Sequence, residues 1–513
     1  MRGALDGSGG VEAILPEGSG LRAGGATAML GCAGHDDCAE GMAAARDAML
    51  QTGRWRLLIA TLPLVGVLAT GPGLPPSRSA GAVPLGGRPM GSGSCSATAC
   101  HGSIRPVGGS PVRRDEHTVW IARDPHARAF AVLHDERSER MVRNLAAGKS
   151  SYLPAYQDAR CLACHTTPRT PADLAATAWQ NEDGVGCEAC HGPASGWIGP
   201  HTVLGWSRQF TPEQKEAGFG LTATKNLARR AEVCAGCHVG RRHDPSGVID
   251  RDMNHDLIAA GHPRLNFEFS AYLANMPPHW VEKGQNAAAD FPARAWVVGQ
   301  VATAKAAAEL LHGRAADSSA PWPEFSEYDC YACHHSLADQ AWRQTPTPSK
   351  PRLGRPEWAS WFAPMTLELA TDGTLGDASV AAAYDRARQA VGGTWDADDK
   401  GRNEAARRAE ELAQALDGWL RRLEPATLDA ATVDRLLRTL RSADAWAKAH
   451  NWDAAAQRYL ALVPLRQALV KLDPARDDPK LREELEKLLE RLRFPPGEDG
   501  PGRQFSPTAI LDN

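Results

Sequence analysis

The stretch Cys161-Leu-Ala-Cys164-His165 holds two cysteines separated by two residues and followed at once by a histidine. On one helical turn, positions i, i+3 and i+4 share a face, so both thiols and the imidazole point the same way. The pattern is typical of covalent haem c attachment, in which the thiols form thioethers and the imidazole ligates the iron. It recurs three times: at Cys187, Cys190 and His191, at Cys234, Cys237 and His238, and at Cys330, Cys333 and His334.

Structural zinc sites also use Cys-x-x-Cys pairs and are the alternative interpretation of these motifs. Zinc does not require a histidine directly after the second cysteine, whereas all four motifs have one. Histidine makes up only 17 of the 513 residues, so chance does not explain four such neighbours. The motifs therefore predict haem rather than zinc.

A fifth site is less regular, because four residues separate Cys95 from Cys100 before His101 follows. The alternative is a disulfide between the two cysteines, with His101 adjacent by coincidence. Every other cysteine beyond residue 82 belongs to a regular motif, and the extra residues need only bulge the loop. We therefore predict five haems c with their irons, bound covalently through ten cysteines.

Each iron has a second axial position, and the chain holds more histidines than the motifs use. One of them, His262, follows Gly261, which lacks a side chain and permits close approach to a flat ring. The predicted distal ligands are His126, His201, His262, His117 and His255, with His279 in reserve. His126 follows His117 by nine positions, a spacing that predicts opposite sides of one helix. His262 follows His255 by seven positions, a spacing that predicts one helical face.

Haem propionates need cationic partners, and guanidinium groups match carboxylates bidentately. The candidates near the motifs are Arg128, Arg229, Arg230, Arg241 and Arg264. The chain has 57 basic against 61 acidic residues, a formal net charge of −4. Five haems add about ten propionates, so the holoprotein is more acidic still, and nothing in this balance indicates a nucleic-acid partner.

An apolar segment at residues 57–70 follows two arginines and precedes the small residues Ala80-Gly81-Ala82. It is short for a membrane span but typical of a secretory signal peptide. We predict that residues 1–82 are an N-terminal extension and signal peptide, with export to the periplasm through a Sec-type signal around residues 49–82. An uncleaved segment would associate the protein with the membrane.

The chain composition changes after residue 344. A Pro-rich linker is predicted at residues 345–360, and beyond it there is no cysteine and a single histidine, His450. Apolar residues at helical spacing predict a helical bundle over 361–494, followed by a disordered tail at 495–513. The helices of the bundle are expected at about residues 403–423, 428–449, 453–472 and 481–493.

Residues 83–344 are predicted to form a pentahaem cytochrome c domain. A helical pattern covers 115–147, and a helix is expected at 293–315, where alanine and valine recur at i, i+3 and i+4. The fold class that follows is mostly α, with little β structure in the haem domain and a helical bundle at the C-terminus.

Haem and histidine motifs over roughly residues 90 to 340 resemble those of periplasmic multihaem c-type cytochromes. They include Cys95-Ser-Ala-Thr-Ala-Cys-His-Gly-Ser103, Asp124-Pro-His-Ala-Arg128, Cys187-Glu-Ala-Cys-His-Gly-Pro193, Gly199-Pro-His201, His255-Asp-Leu-Ile-Ala-Ala-Gly-His-Pro263 and Cys330-Tyr-Ala-Cys-His-His335. That group includes the tetrahaem cytochromes that accept electrons from hydroxylamine oxidoreductase and is more distantly similar to pentahaem nitrite reductases. The resemblance implies stacked or edge-on haem pairs, mostly bis-His irons and one iron left open. The Cys-x-x-Cys-Lys motif of the nitrite reductases is missing from this sequence.

These observations predict an electron carrier that connects redox partner proteins. The alternative is a multihaem oxidoreductase that reduces or oxidises a small nitrogen or sulfur compound at one haem with an open axial position. A third interpretation is a structural or assembly protein that merely holds haem. Binding of CO, NO or cyanide without displacement of a histidine distinguishes the second interpretation, and redox titration the third.

Overall fold

The computed structural model describes residues 87–108, 112–147, 151–330, 333–334, 356, 358, 361–393, 399–447, 449 and 452–492. The predicted signal segment, most of the predicted linker, His450 and the predicted tail lie outside the described residues. The described residues are mostly helical, which confirms the predicted fold class. Their only β pairing consists of two isolated bridges, Arg241 with Arg251 and Tyr328 with Trp358. Within the same residues, no helix has the length and apolar character needed to cross a membrane.

The described chain up to residue 330 consists mainly of short helices. The α-helices are α1 (Glu116–Arg123), α2 (Glu136–Leu145), α3 (Ala159–His165), α4 (Pro171–Ala176), α5 (Cys187–His191), α6 (Trp206–Gln209), α7 (Pro212–Phe219), α8 (Leu227–His238), α9 (His255–Ala259), α10 (Phe269–Asn275) and α11 (Phe291–Ala316). Turns of 3-10 helix lie between them at Ser92–Cys95, Pro125–Arg128, Ala131–His134, Ala155–Gln157, Ala178–Asp183, Ala194–Gly196, Pro200–Thr202, Gly284–Ala287 and Phe325–Glu327.

The helical pattern at 115–147 does not form one helix. α1 ends at Arg123 because Pro125 follows, and the Asp124 carboxylate accepts a hydrogen bond from the His126 backbone N–H at 3.0 Å, which begins a new 3-10 turn. Consequently His117 and His126 do not lie on one helix, and the prediction that they occupy its opposite sides is wrong.

The C-terminal part is also helical. Its described elements are α12 (Pro364–Ala370), α13 (Ala378–Gly393), α14 (Asp399–Leu423), α15 (Ala430–Arg441), α16 (Ala443–Ala447), α17 (Trp452–Leu472), the 3-10 turn Pro474–Arg476 and α18 (Pro479–Leu492). The four predicted helices are confirmed, except that the second is interrupted at Ser442, whose hydroxyl accepts from the Ala445 N–H and caps α16. α13 was not among the predicted helices, although its buried residues recur at helical spacing.

The predicted helix at 293–315 is confirmed as α11, and it joins the two parts of the described chain. It is buried on nearly all sides, because it packs against α8 and α10 and also against α14 and α17. Residues of both parts therefore form one hydrophobic core. Trp358, placed in the linker by the sequence, is 4% exposed and belongs to this core. The division into a haem domain and a bundle remains a prediction.

Removing a side chain from α11 tests the importance of this shared core. Leu311 is fully buried, and Leu311→Ala is expected to lower the free energy of unfolding by about 2–5 kcal/mol. Leu204 is 95% exposed, so Leu204→Ala is the matched control, with a change within about 0.5 kcal/mol. Denaturant unfolding followed by far-UV circular dichroism gives both values, and equal effects would contradict a central position for α11.

Candidate haem-binding site

Three regular motifs each occupy the last turn of a helix, with the histidine as its final residue. The helices are α3, α5 and α8, which end at His165, His191 and His238. At the last regular motif, the His334 N–H donates to the Cys330 carbonyl at 2.8 Å, the i+4 spacing of a helical turn. This geometry puts two sulfurs and one imidazole on a common face, as the motif spacing predicted.

In the irregular first site, too, the backbone turns so that the histidine is hydrogen-bonded to the first cysteine. Cys95 ends a 3-10 turn, the Cys100 N–H donates to the Ala97 carbonyl at 2.8 Å, and the His101 N–H donates to the Cys95 carbonyl at 3.3 Å. The additional residues are thus taken up in a turn. None of the ten cysteines in the described residues forms a disulfide, Cys95 and Cys100 included.

Four motif histidines face a second histidine from elsewhere in the chain, and each of those was predicted as a distal ligand. Two imidazoles on opposite sides of one metal ion, each bonded at about 2.0 Å, have ring centroids about 6 Å apart. The observed pairs are His101 with His201 at 6.3 Å, His126 with His238 at 6.0 Å, His165 with His262 at 6.3 Å, and His255 with His334 at 6.5 Å.

Hydrogen bonds fix the orientation of five of these eight rings through Nδ1. A hydrogen-bond acceptor at Nδ1 sets the tautomer and leaves Nε2 for a metal ion. The acceptors are Glu116 Oε2 for His101 (3.0 Å), Asp124 Oδ1 for His126 (2.9 Å), the Ala129 carbonyl for His165 (2.7 Å), the Ile198 carbonyl for His201 (2.7 Å) and the Pro263 carbonyl for His262 (2.8 Å).

Burial keeps several of the rings neutral. It lowers the pKa of His238 to about 4, with a smaller effect from the neighbouring His126. It also lowers the pKa of His262, against the opposing effect of the hydrogen bond to Pro263. For His126, the hydrogen bond to Asp124 raises the pKa. Only the neutral imidazole ligates a metal ion, so low pKa values favour ligation at neutral pH.

The motif histidine His191 has no second imidazole at this spacing among the described residues. Burial lowers its pKa to about 4, and the next largest effect comes from His279. The ring of His117, the fifth predicted distal ligand, instead lies 5.4 Å from the Trp120 ring, and the His117 backbone N–H donates to the His101 carbonyl. The structure therefore brings the reserve candidate His279 towards His191, and it places His117 beside a motif whose histidine already faces His201.

The loop between His255 and His262 differs from its predicted geometry. α9 ends at Ala259, and Gly261 has φ +115°, which a residue with a side chain rarely adopts. The two histidines therefore do not share a helical face. A Cβ at Gly261 would lie 3.8 Å from Met141 Cγ, an ordinary contact, so backbone conformation rather than close approach requires glycine here.

Interactions between cysteines of different motifs indicate which sites are neighbours. The Cys95 thiol donates a hydrogen bond to Cys187, which raises the pKa of Cys95, and the Cys164 thiol donates one to Cys237, which lowers the pKa of Cys237 to about 6. Burial raises the pKa of Cys190, with further contributions from Cys234 and Cys237. The first site thus adjoins the third, the third adjoins the fourth, and the fourth adjoins the second.

The fifth site has a preformed cavity of about 540 Å³. Cys330, Cys333, His334 and His255 all line it. Cofactor pockets are typically about 300–1,000 Å³, so both the volume and the donor set fit a haem. Among the arginines proposed for propionates, Arg264 lines this cavity. Three of the others are paired with carboxylates: Arg229 with Glu216, Arg230 with Glu282 and Arg241 with Asp244.

Comparison with known proteins agrees with this site. A family described as cytochrome c554 and c-prime matches residues 95–192, the segment that contains the first three motifs. No curated protein and no solved structure gives a match. The matched segment supports a c-type cytochrome: the chain binds haem c covalently, with its iron, and takes part in electron transfer.

Removing one distal imidazole should open one iron. We expect His262→Ala to convert a single haem from low spin to high spin and to raise its potential, because an imidazole ligand favours ferric iron. His126→Ala, His201→Ala and His255→Ala should each do the same at a different haem. EPR and optical spectra of the oxidised protein measure the conversion.

The matched control is His312→Ala, since His312 lies in α11 and its Nδ1 donates to the Ala406 carbonyl at 3.0 Å. This variant should leave all spin states unchanged. Retention of every low-spin signal in His262→Ala would eliminate His262 as a ligand.

Proposed function

We propose that the protein is an exported pentahaem cytochrome that transfers electrons between redox partner proteins. The observation that carries the proposal is the set of four imidazole pairs at 6.0–6.5 Å. Each combines a motif histidine with one distant in sequence, as bis-His haem ligation requires. Bound haem supplies one-electron chemistry, while the protein sets ligation, spacing and dielectric around it.

The arrangement of the sites supports a conduit. Cysteines of the first and third sites, of the third and fourth, and of the fourth and second affect each other's pKa values, which supports neighbouring positions for these four sites. The cavity of the fifth site is lined by Val239, which directly follows His238 of the fourth. We infer that electrons pass among five neighbouring haems, with the fourth site adjoining the second, the third and the fifth.

Surface features at the first site support an encounter with a partner. Ile104 follows His101 by three residues and is 85% exposed, and Leu204 follows His201 by three and is 95% exposed. Cys100 is exposed as well. Because His101 and His201 face each other at 6.3 Å, Ile104 and Leu204 belong to the same site, and exposed apolar side chains that cluster are typical of protein contact surfaces. We infer that this end of the haem chain exchanges electrons with a partner protein.

Export to the periplasm is part of the proposal and is supported by the signal-like segment around residues 49–82. Haem c is attached outside the cytoplasm in bacteria, so the motifs and the signal are mutually consistent. Cleavage after Ala82 would release a periplasmic protein, and an uncleaved segment would keep it at the membrane.

Haem content tests the proposal directly. We expect five haems per chain, because ten cysteines form five motifs. A pyridine haemochrome assay and the intact mass of protein from the periplasmic fraction measure the number, and the mass also reports cleavage of the signal. Cys100→Ala should reduce the covalent attachment at the first site. If the native protein has only four haems per chain and Cys100→Ala does not change that number, Cys95 and Cys100 do not attach a haem.

A second candidate function rests on His191. Because no imidazole among the described residues faces it at the spacing of the other pairs, its iron is the candidate for an open position, as in the oxidoreductase alternative. The nearby His279 is the competing explanation, since it could occupy that position once haem is bound.

Binding of CO to the ferrous protein distinguishes an open iron at His191 from ligation of that iron by His279. If His279 is the sixth ligand, the native ferrous protein should not bind CO, whereas His279→Ala should bind one CO per chain. His117→Ala is the matched control and should not bind CO. Binding of one CO by the native protein, unchanged in His279→Ala, would instead favour an open catalytic iron.

A further inference from the structure

The segment that leads into the fifth motif is attached to the C-terminal helical part. Tyr328 forms an isolated antiparallel β-bridge with Trp358, and its hydroxyl donates to the Val391 carbonyl of α13 at 3.4 Å. The Trp358 indole N–H donates to Glu327 Oε2 at 2.7 Å. Glu327 and Tyr328, just ahead of the motif, are thereby held in place by Trp358 of the predicted linker and by α13 beyond it.

The C-terminal part also supplies a wall of the fifth cavity. Trp361 and Phe362 line it together with the motif residues and His255. Trp361 is 4% exposed, and its indole N–H donates to the Phe267 carbonyl at 2.8 Å. Phe267 in turn stacks on His238 at 5.2 Å, so Trp361 reaches the surroundings of both the fifth and the fourth site.

An ion pair joins the cavity to α17. Arg264 lines the cavity, and its guanidinium donates to both carboxylate oxygens of Asp453, at 3.1 and 2.5 Å. The Asp453 side chain is fully buried, and the Arg264 side chain is 24% exposed. The guanidinium also lies 5.8 Å from the centre of the Trp361 ring, a cation–π contact. Asp453 and Trp361 thus hold Arg264 at the cavity.

We propose that the C-terminal helices complete the fifth haem pocket and set the potential of that haem through the Arg264–Asp453 pair. This inference rests on the proposed haem at Cys330 and Cys333. Ferric haem carries one positive charge more than ferrous haem, so a nearby guanidinium favours reduction and a nearby carboxylate favours oxidation. Burial makes both effects larger than they would be in water. Arg264 lines the pocket, and Asp453 acts as a positioning residue that holds the Arg264 guanidinium there.

Two substitutions that remove opposite charges test the inference. Arg264→Gln should lower the midpoint potential of one haem, because the cation is lost. Asp453→Asn, which keeps the shape of the side chain, should raise the potential of the same haem, because the remaining guanidinium is no longer neutralised. The double variant should lie between the two single variants. A spectroscopic redox titration of the full-length holoprotein resolves the individual midpoints.

A background without the fifth haem identifies the responsive centre. In Cys330→Ala/Cys333→Ala, neither Arg264→Gln nor Asp453→Asn should shift any remaining midpoint. The control for loosened helix packing is Glu368→Gln, which breaks a second buried ion pair of α17, that between Arg458 and Glu368. Arg458 and Glu368 are outside the cavity lining, so this variant should be less stable without moving a haem potential.

Shifts of the same sign in Arg264→Gln and Asp453→Asn, or no shift in either, would overturn the inference. So would a shift that persists in the background without the fifth haem. In those cases a count of five haems would leave the proposed function intact. If the native protein lacks haem at Cys330 and Cys333, the proposed function itself fails at this site, and the inference fails with it.

Discussion

The spacing of paired imidazoles is the constraint on which the rest of the haem-binding part depends. Two rings must be held about 6 Å apart across a flat macrocycle, which keeps the chain segments that carry them from packing directly against each other. Short helices that end at their histidines, as α3, α5 and α8 do, meet this constraint because each delivers a ring at its end. Nδ1 hydrogen bonds to carbonyls and carboxylates then fix the ring planes.

This constraint also explains the distribution of apolar packing. The core of the described residues is centred on α11, which contacts helices on both sides of the predicted linker, whereas a second, much smaller cluster around Phe130 and Leu162 lies near the second site. We infer that haem itself provides much of the apolar contact around the first four sites, and that α11 connects them to a conventional helical core.

Much of the local structure could be predicted from the sequence. The motif spacing placed both sulfurs and the imidazole on one face, and the periodicity of α11 and α14 gave their extents within a few residues. The distal candidates His126, His201, His255 and His262 were found because histidine is in excess outside the motifs. Each of these signals is local in the chain or compositional, so a single sequence carries it.

The contacts between residues that are distant in the sequence could not be predicted in the same way. Which motif faces which distal histidine depends on how distant segments pack, and no local pattern encodes it. The same reason applies to Trp358, whose partner Tyr328 is thirty residues earlier, and to Asp453, which pairs with Arg264 across the chain. The helical pattern from 115 to 147 forms α1 and α2 rather than one helix for a local reason, because Asp124 and Pro125 end α1.

The most direct test of bis-His ligation is an experimental structure of the holoprotein with iron located by anomalous scattering. We predict five irons, four of them midway between the paired rings of His101 and His201, His126 and His238, His165 and His262, and His255 and His334. An imidazole pair with no iron between its rings, or an iron bound by a different pair, would contradict it.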